Sequence, residues 1–263
     1  MIESMPTEVR RERMLGMLMD QEFARVAELA EAFGVSSVTV RADLDALEEQ
    51  GKVRRVRGGA VAAAPPPRTE PSFELSLGAA AVEKALIAKV AARLVSSGES
   101  VMMGAGTTTA HVARELVARA DLTEVTVFTN GLRTALELEP ALPRFAVVVT
   151  GGSLRRQQHS LVDPLGGRIL DGIRANTVFL GCGGVHPDSG ITNVNLPDAE
   201  MKQRMLRAAT RRIVVADSSK LGVIEMAPIC ALSEIDLLIT GESADPGLVA
   251  VLRDRGLRVE IAS

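Results

Sequence analysis

The sequence predicts an α/β protein in two parts: a small helical head carrying a basic hairpin, then a larger domain on a mostly parallel sheet. Three observations carry this prediction. Residues 26–61 hold two short runs of helical apolar period, separated by a glycine and followed by a cluster of cations. Residues 62–71, AAAPPPRTEP, contain three consecutive prolines, which favour a semi-rigid extended spacer over a packed element. From Phe73 onward, short continuous apolar runs alternate with amphipathic stretches, the pattern of parallel strands covered on both faces by helices. The domains read as 1–61, a linker over 62–71, and 72–263.

The head begins with a helix over residues 7–20, where Val9, Leu15 and Leu18 are expected to pack inward. Arg10, Arg11 and Arg13 on it are candidate phosphate contacts or a solvated face. Val26, Leu29, Ala30 and Phe33 fall at i, i+3, i+4 and i+7 and make one apolar face of a second helix, which Gly34 ends as a C-cap. Ser36 can cap a third helix through its hydroxyl. There Val40, Leu44 and Leu47 share a stripe, and Gly51 stops it. Two such helices joined by a few residues form a helix-turn-helix. Lys52, Arg54, Arg55 and Arg57 follow, and Gly58-Gly59 supplies the turn of a hairpin, the expected wing.

The third helix is the candidate DNA reader. Opposite its apolar stripe stand Val38, Ala42 and Asp45, flanked by Thr39 and Arg41. Ser37 lies in the first turn, where hydroxyl and backbone N–H groups meet a phosphate. Arg41 would read a guanine edge, and the Val38 and Thr39 methyls a thymine. The four wing cations would bind backbone phosphates and add salt dependence without sequence information.

Composition narrows the classes. There is no tryptophan or tyrosine and there are six phenylalanines, so base-stacking platforms for single strands or RNA are not expected. Net charge is −3, and residues 1–50 hold five arginines against eleven acids, so affinity for duplex DNA rests on a local cluster doubled by dimerisation. Two cysteines, Cys182 and Cys230, are too few for a disulfide framework and read as buried thiols. No signal peptide or membrane-length apolar run is read, and the cytoplasm is the expected compartment.

In the second domain, helices are expected over 82–95, 108–118, 132–138, 163–173, 197–209 and 246–253. Strands are expected over 101–103, 125–128, 145–149, 177–180, 213–216, 237–239 and 257–261. In such sheets ligands sit at the carboxyl ends of the strands. Those ends carry Gly104-Ala105-Gly106-Thr107-Thr108-Thr109, Thr129-Asn130-Gly131, Gly151-Gly152-Ser153-Leu154-Arg155, Gly181-Cys182-Gly183-Gly184 and Asp217-Ser218-Ser219-Lys220. Singly, each is ordinary turn chemistry. Together, small hydrogen-bonding residues and two cations converge on one rim, where a helix N-terminus favours an anion.

Specific alternatives fail on the letters. The third glycine of a dinucleotide fingerprint is Thr109, and the next strand ends in Thr129-Asn130 without an acid, so no NAD cofactor is expected. There is no P-loop and no G-x-S-x-G elbow with a triad. His111, His159 and His186 lack ligand spacing, so no metal is expected. What remains is a small phosphorylated sugar or polyol, its anion on the glycine/threonine loop and its hydroxyls on Asn130 and the acids.

Two sets of motifs resemble one family. In the head, Ser36, Val38, Thr39, Arg41, Asp43, Leu44, Leu47, Glu48, Gly51, Gly58, Gly59 and Ala60 match the N-terminal domain of DeoR-type bacterial transcriptional regulators. Ala42 stands where the family usually has a second arginine, and Arg57 where it usually has histidine. In the second domain, Glu83-Lys84, Gly106–Thr109, Thr129-Asn130, the Gly151–Arg155 stretch, Glu200-x-Lys202 and Asp217–Lys220 look like motifs of the DeoR sensor domain. Gly104, Gly131 and Asp163 depart from its common aspartate, serine and glycine. The resemblance implies a fold akin to ribose-5-phosphate isomerase, catalytically idle. It implies binding of a sugar phosphate that changes DNA affinity, with Glu200 and Lys202 at the site, and homodimers or homotetramers.

Two function classes stand at this point. One is an effector-controlled regulator, a repressor of a carbohydrate-utilisation operon, binding double-stranded operator DNA. The other is an isomerase- or transferase-like enzyme with an appended DNA-binding module, for which Glu200, Asp198 and Lys220 could be recruited as acid, base or stabiliser.

Overall fold

The computed structural model describes residues 6–21, 23–49, 52–62, 70–162 and 164–263. The chain divides into two compact units, Met1–Thr69 and Glu70–Ser263. Most of the expected proline linker, Gly51 as a helix stop, and Asp163 lie outside the described residues.

The first unit runs α1 (Thr7–Gln21), β1 (Phe23–Arg25), α2 (Val26–Phe33), α3 (Ser37–Glu49), β2 (Val53–Val56) and β3 (Gly59–Ala62). Its core gathers Met14 and Leu18 of α1, Val26 and Leu29 of α2, and Val40, Leu44 and Leu47 of α3. Met14 takes the inward place expected of Val9, which is exposed. Gly34 adopts φ +62° and ends α2 as a left-handed cap, with Val35 N donating to Ala30 O at 3.1 Å. The three strands form an antiparallel sheet ordered β1-β3-β2. Sequence period missed β1, because three residues between two helices show no alternation. Its presence moves the hairpin turn to Arg57-Gly58 and puts Gly59 inside β3, opposite Arg25. A Cβ on Gly59 would lie 2.2 Å from Ala24 O, so its glycine serves the close approach of β1.

The second unit opens with α4 (Phe73–Gly78) and α5 (Ala81–Arg93). It then alternates: β4 (Ser100–Met103), α6 (Thr107–Ala118), β5 (Val125–Thr129), α7 (Leu132–Leu138) and β6 (Phe145–Val149). A small antiparallel pair follows, β7 (Ser153–Arg155) with β8 (Ser160–Val162), then α8 (Pro164–Asp171) and β9 (Ala175–Leu180). Next come β10 (Gly184–His186), β11 (Gly190–Asn193), α9 (Leu196–Arg207), β12 (Ala209–Val215), β13 (Ala227–Cys230), β14 (Leu237–Gly241), α10 (Pro246–Asp254) and β15 (Val259–Ala262).

Seven strands make one parallel sheet in the order β15-β14-β12-β9-β4-β5-β6. Alternate residues serve opposite faces. Val101, Met103, Val125 and Val127 pack under α5 and α6. Met102, Val178, Leu180 and Val214 pack against α9, α10 and the β10-β11-β13 sheet. This two-sided burial explains the continuous apolar runs. β12 starts four residues earlier than its apolar run, because Arg211 lies along it and donates to Thr177 Oγ1 at 3.0 Å. The chain leaves β4 towards β6 on one side, and β9 leads towards β15 on the other. The order therefore reverses between β4 and β9.

Candidate functional site

The first candidate surface is built on α3. Ser36 Oγ accepts from Thr39 N at 3.1 Å and pairs with Thr39 Oγ1 at 2.9 Å, which caps the helix. With Val40, Leu44 and Leu47 turned inward, Ser37, Val38, Arg41, Ala42 and Asp45 are exposed. Val38 is 70% exposed, an apolar side chain left bare on an otherwise well-packed helix. Beside it, Lys52, Arg54 and Arg57 of the hairpin are also exposed.

Asp43 also belongs to α3, and it is buried. Arg10 Nε donates to one of its carboxylate oxygens at 2.7 Å, and Arg11 Nε to the other at 2.9 Å. Burial acts to raise the Asp43 pKa, but the two guanidiniums outweigh it and hold the carboxyl below its usual range. The fork ties α1 to the reader helix.

The second candidate site lies where the sheet order reverses, the position at which open α/β sheets hold ligands. The Gly104–Gly106 turn leaves β4 and feeds α6. By helix geometry, the first-turn N–H groups of Thr107, Thr108 and Thr109 lack an intrahelical acceptor. The Thr109 hydroxyl donates back to Gly104 O at 2.7 Å, fixing the turn. Asn130 clamps the neighbouring strand end: its Oδ1 accepts from Ala105 N at 2.8 Å and its Nδ2 donates to Leu161 O at 3.0 Å. Thr129 Oγ1 donates to Met103 O at 2.7 Å.

The β7–β8 hairpin crosses this rim and carries Arg155. Its Nη1 donates to Ser160 Oγ at 3.1 Å and stands 4.0 Å from Asp198 Oδ1. Asp198 sits in the first turn of α9, which Asn195 caps by accepting from Asp198 N at 3.1 Å. Its Oδ2 meets Lys202 Nζ at 2.8 Å and Asn193 Nδ2 at 3.0 Å. Asp198 Oδ1 is buried with no hydrogen-bond partner among the described residues. Lys202 and Lys220 both act on the Cys182 thiol at the end of β9, yet burial dominates and pushes that thiol up to about 12. On the far side, Lys84 Nζ lies 3.7 Å from Asp217 Oδ2, and Glu83 accepts from Ser218 N at 2.8 Å, which ties α5 to the loop after β12. Among the described residues, no three His, Cys, Asp or Glu side chains gather as a metal site requires. Among them too, no helix is long and apolar enough to cross a membrane.

Comparison with known proteins bears on both surfaces. The family model of the DeoR-like helix-turn-helix domain matches residues 10–65, and that of the DeoR C terminal sensor domain matches residues 79–242. The chain belongs to the DeoR family of transcriptional regulators. It is 32% identical over 253 residues to the HTH-type transcriptional regulator GolR of Listeria innocua, covering 96% of this chain and 98% of that one. It is 34% identical over 254 residues to a putative aga operon transcriptional repressor of Escherichia coli O157:H7, covering 96% and 93%. Ribose 5-phosphate isomerase A of Methanocaldococcus jannaschii overlaps 54% of this chain and 55% of its own, at 21% identity and TM-score 0.40. The relatives are named regulators and repressors, and this chain is a regulator, not an enzyme.

The structure of the regulator revises several expected roles. Arg10 and Arg11 do not form a solvated, phosphate-facing row, because both grip Asp43. Arg55 pairs with Asp45 of α3, and its backbone N donates to Glu48 Oε1 at 2.7 Å, so it braces the wing against the reader helix. Asn130, Thr129 and Thr109 are fully buried with their polar atoms engaged on backbone groups. They shape the rim from beneath it, at 0% exposure. Gly151 and Gly152 take φ +74° and +114° and turn the chain into β7. A Cβ on Gly152 would lie 2.4 Å from Val162 O. Asp217 is buried, accepting from Ser219 N at 3.2 Å beside Lys84. Glu200 faces solvent and pairs with Arg204 at 3.4 Å. On a helix, residues 198 and 202 share a face and 200 points away, so the acid of this cluster is Asp198. The signal was present as an acid and a lysine four residues apart. Gly104, Gly106, Thr107, Thr108, Arg155, Lys202 and Lys220 remain on the rim.

Proposed function

We propose that this regulator is a repressor of a carbohydrate-utilisation operon whose affinity for double-stranded operator DNA is set by a phosphorylated sugar or polyol. Residues 1–61 form the DNA-binding domain, 62–71 the linker and 72–263 the effector domain. Val38, Thr39 and Arg41 read the operator, while Ser37, Lys52, Arg54 and Arg57 hold phosphates. The observation that supports the effector most directly is the Arg155–Asp198–Lys202 cluster, carried by the β7–β8 hairpin and α9. It offers cations for an anion, and a buried carboxylate oxygen that makes no hydrogen bond among the described residues for a hydroxyl. The assembly is a homodimer or homotetramer working in the cytoplasm.

Phosphate and hydroxyl recognition together predict that phosphorylated sugars raise the melting temperature of the full chain and their unphosphorylated counterparts do not. A ligand at 100 times its Kd adds about 2.7 kcal/mol. Active compounds should release the protein from operator DNA, and Arg155→Ala or Lys220→Ala should still bind operator but resist release. Because an effector shifts DNA binding only through its differential affinity for two states, unchanged release midpoints in both variants would remove this site.

A further inference from the structure

The sensor unit begins at Glu70, so the last two residues of the expected linker, Glu70 and Pro71, belong to it and start a strap across the rim hairpin. Gln157 Nε2 donates to Glu70 O at 2.7 Å, Gln158 Nε2 to Pro71 O at 2.6 Å, and Phe73 N to Gln157 O at 2.8 Å. Phe73 then meets the His159 ring edge-on at a centroid distance of 5.5 Å, and His159 pairs with Glu74 at 2.8 Å. These contacts deliver the Glu70 carboxylate onto Arg155, where it accepts from Nη2. The side chains of Arg155 and Glu70 are 15% and 16% exposed, so this is no solvent-screened surface pair.

The charges around Arg155 balance with Glu70 in place. Arg155 and Lys202 face Glu70 and Asp198, two cations to two acids. Nη1 is engaged on Ser160 and Nη2 on Glu70, so a carboxylate already occupies one arm of the guanidinium fork. An incoming phosphate would have to share that fork with a carboxylate held beside it, and like charges at such range repel strongly.

We propose that Glu70 is an internal ligand of the Arg155 anion subsite, and that an effector phosphate binds by displacing it and freeing the strap at residues 70–73. This rests on the effector reading above and deepens it. Arg155 thereby links ligand capture to the segment that continues directly from the linker.

The test uses the full-length chain, inorganic phosphate as probe, and the variants Glu70→Gln, Arg155→Gln and the double variant. Phosphate affinity is read by calorimetry, and the strap by hydrogen exchange over residues 70–76. Glu70→Gln removes the competing charge but keeps the side-chain shape, and should tighten phosphate binding about five- to tenfold. Arg155→Gln should abolish that binding, and the double variant should match Arg155→Gln. Phosphate should speed strap exchange in the wild type, and Glu70→Gln should show the faster exchange without phosphate. If Arg155→Gln loses phosphate while Glu70→Gln binds it no tighter than wild type, the internal-ligand proposal is overturned and the subsite stands. If all proteins bind phosphate alike, or none does, both the subsite and the proposal fall. Strap exchange insensitive to phosphate and to Glu70→Gln would also overturn the proposal.

Discussion

Replacing Asp43 with asparagine should loosen the DNA-binding unit without touching any residue that faces DNA. Asp43 is 2% exposed and holds both Arg10 and Arg11, whose side chains are 11% and 24% exposed. Removing one partner of a fully buried pair costs about 3–5 kcal/mol. Asparagine keeps one acceptor oxygen, and both arginines can recover some hydration, so about 2–3 kcal/mol is expected here. At about 1.4 kcal/mol per tenfold, core amides of α1 and α3 should exchange roughly 30- to 150-fold faster. Hydrogen exchange on the full chain at neutral pH measures this directly, with the sensor unit as internal reference. The pH dependence has a definite sign. The folded carboxyl is held below the unfolded value of about 3.9, so the stabilisation is complete above that value. It is lost as pH falls through the lowered folded pKa. The wild type should therefore lose protection in α1 and α3 on acidification, and Asp43→Asn should show a flatter acid limb. An exchange change below fivefold would refute the role assigned to the fork.

Other expectations concern the reader, the wing and the thiols. Arg41→Ala should cost operator binding about 1–3 kcal/mol and relax one base position, read by competition among operator variants. Equal binding of all sequences as before would remove α3 as the reader. Neutralising Arg54 and Arg57 should weaken operator and random DNA alike and flatten the salt slope by about 0.9 for each lost phosphate contact. Arg55→Ala should change the slope less, since that side chain already serves Asp45. Cys182 and Cys230 are half-buried, and burial pushes both thiols up to about 12, so they should alkylate at pH 8 far more slowly than thiols of pKa 9.0. Labelling at the ordinary rate in the native protein would contradict these raised values.

Much of this architecture was legible in one dimension because its signals are local. The Gly34 cap, the Val40–Leu44–Leu47 stripe and the Ser36 cap each depend on residues within two helical turns. Continuous apolar runs declared a sheet covered on both faces, since a strand buried twice has no polar side to show. The glycine- and threonine-rich strand ends marked the rim for the same reason: the chain must turn there and feed a helix. The small antiparallel elements did not show, because β1, β7 and β8 are three residues each and acquire strand geometry only from distant partners.

The sequence by itself determined which residue types stood at each strand end, and so the kind of ligand chemistry the rim can offer. Tertiary structure alone decided which of them still face it. Asn130 and Thr129 look like donors for a hydroxyl, but the approach of Leu161 and Met103 engages them internally. Arg55 looks like a phosphate contact, yet Asp45, ten positions earlier in the chain, claims it. Asp198 and Glu200 are two residues apart, and only the packed face of α9 separates a buried acid from a solvated one. Arg155 meets Glu70 across 85 residues of sequence. Charge pairing over such separations is set by where the folded backbone puts each Cβ, and no local period encodes it.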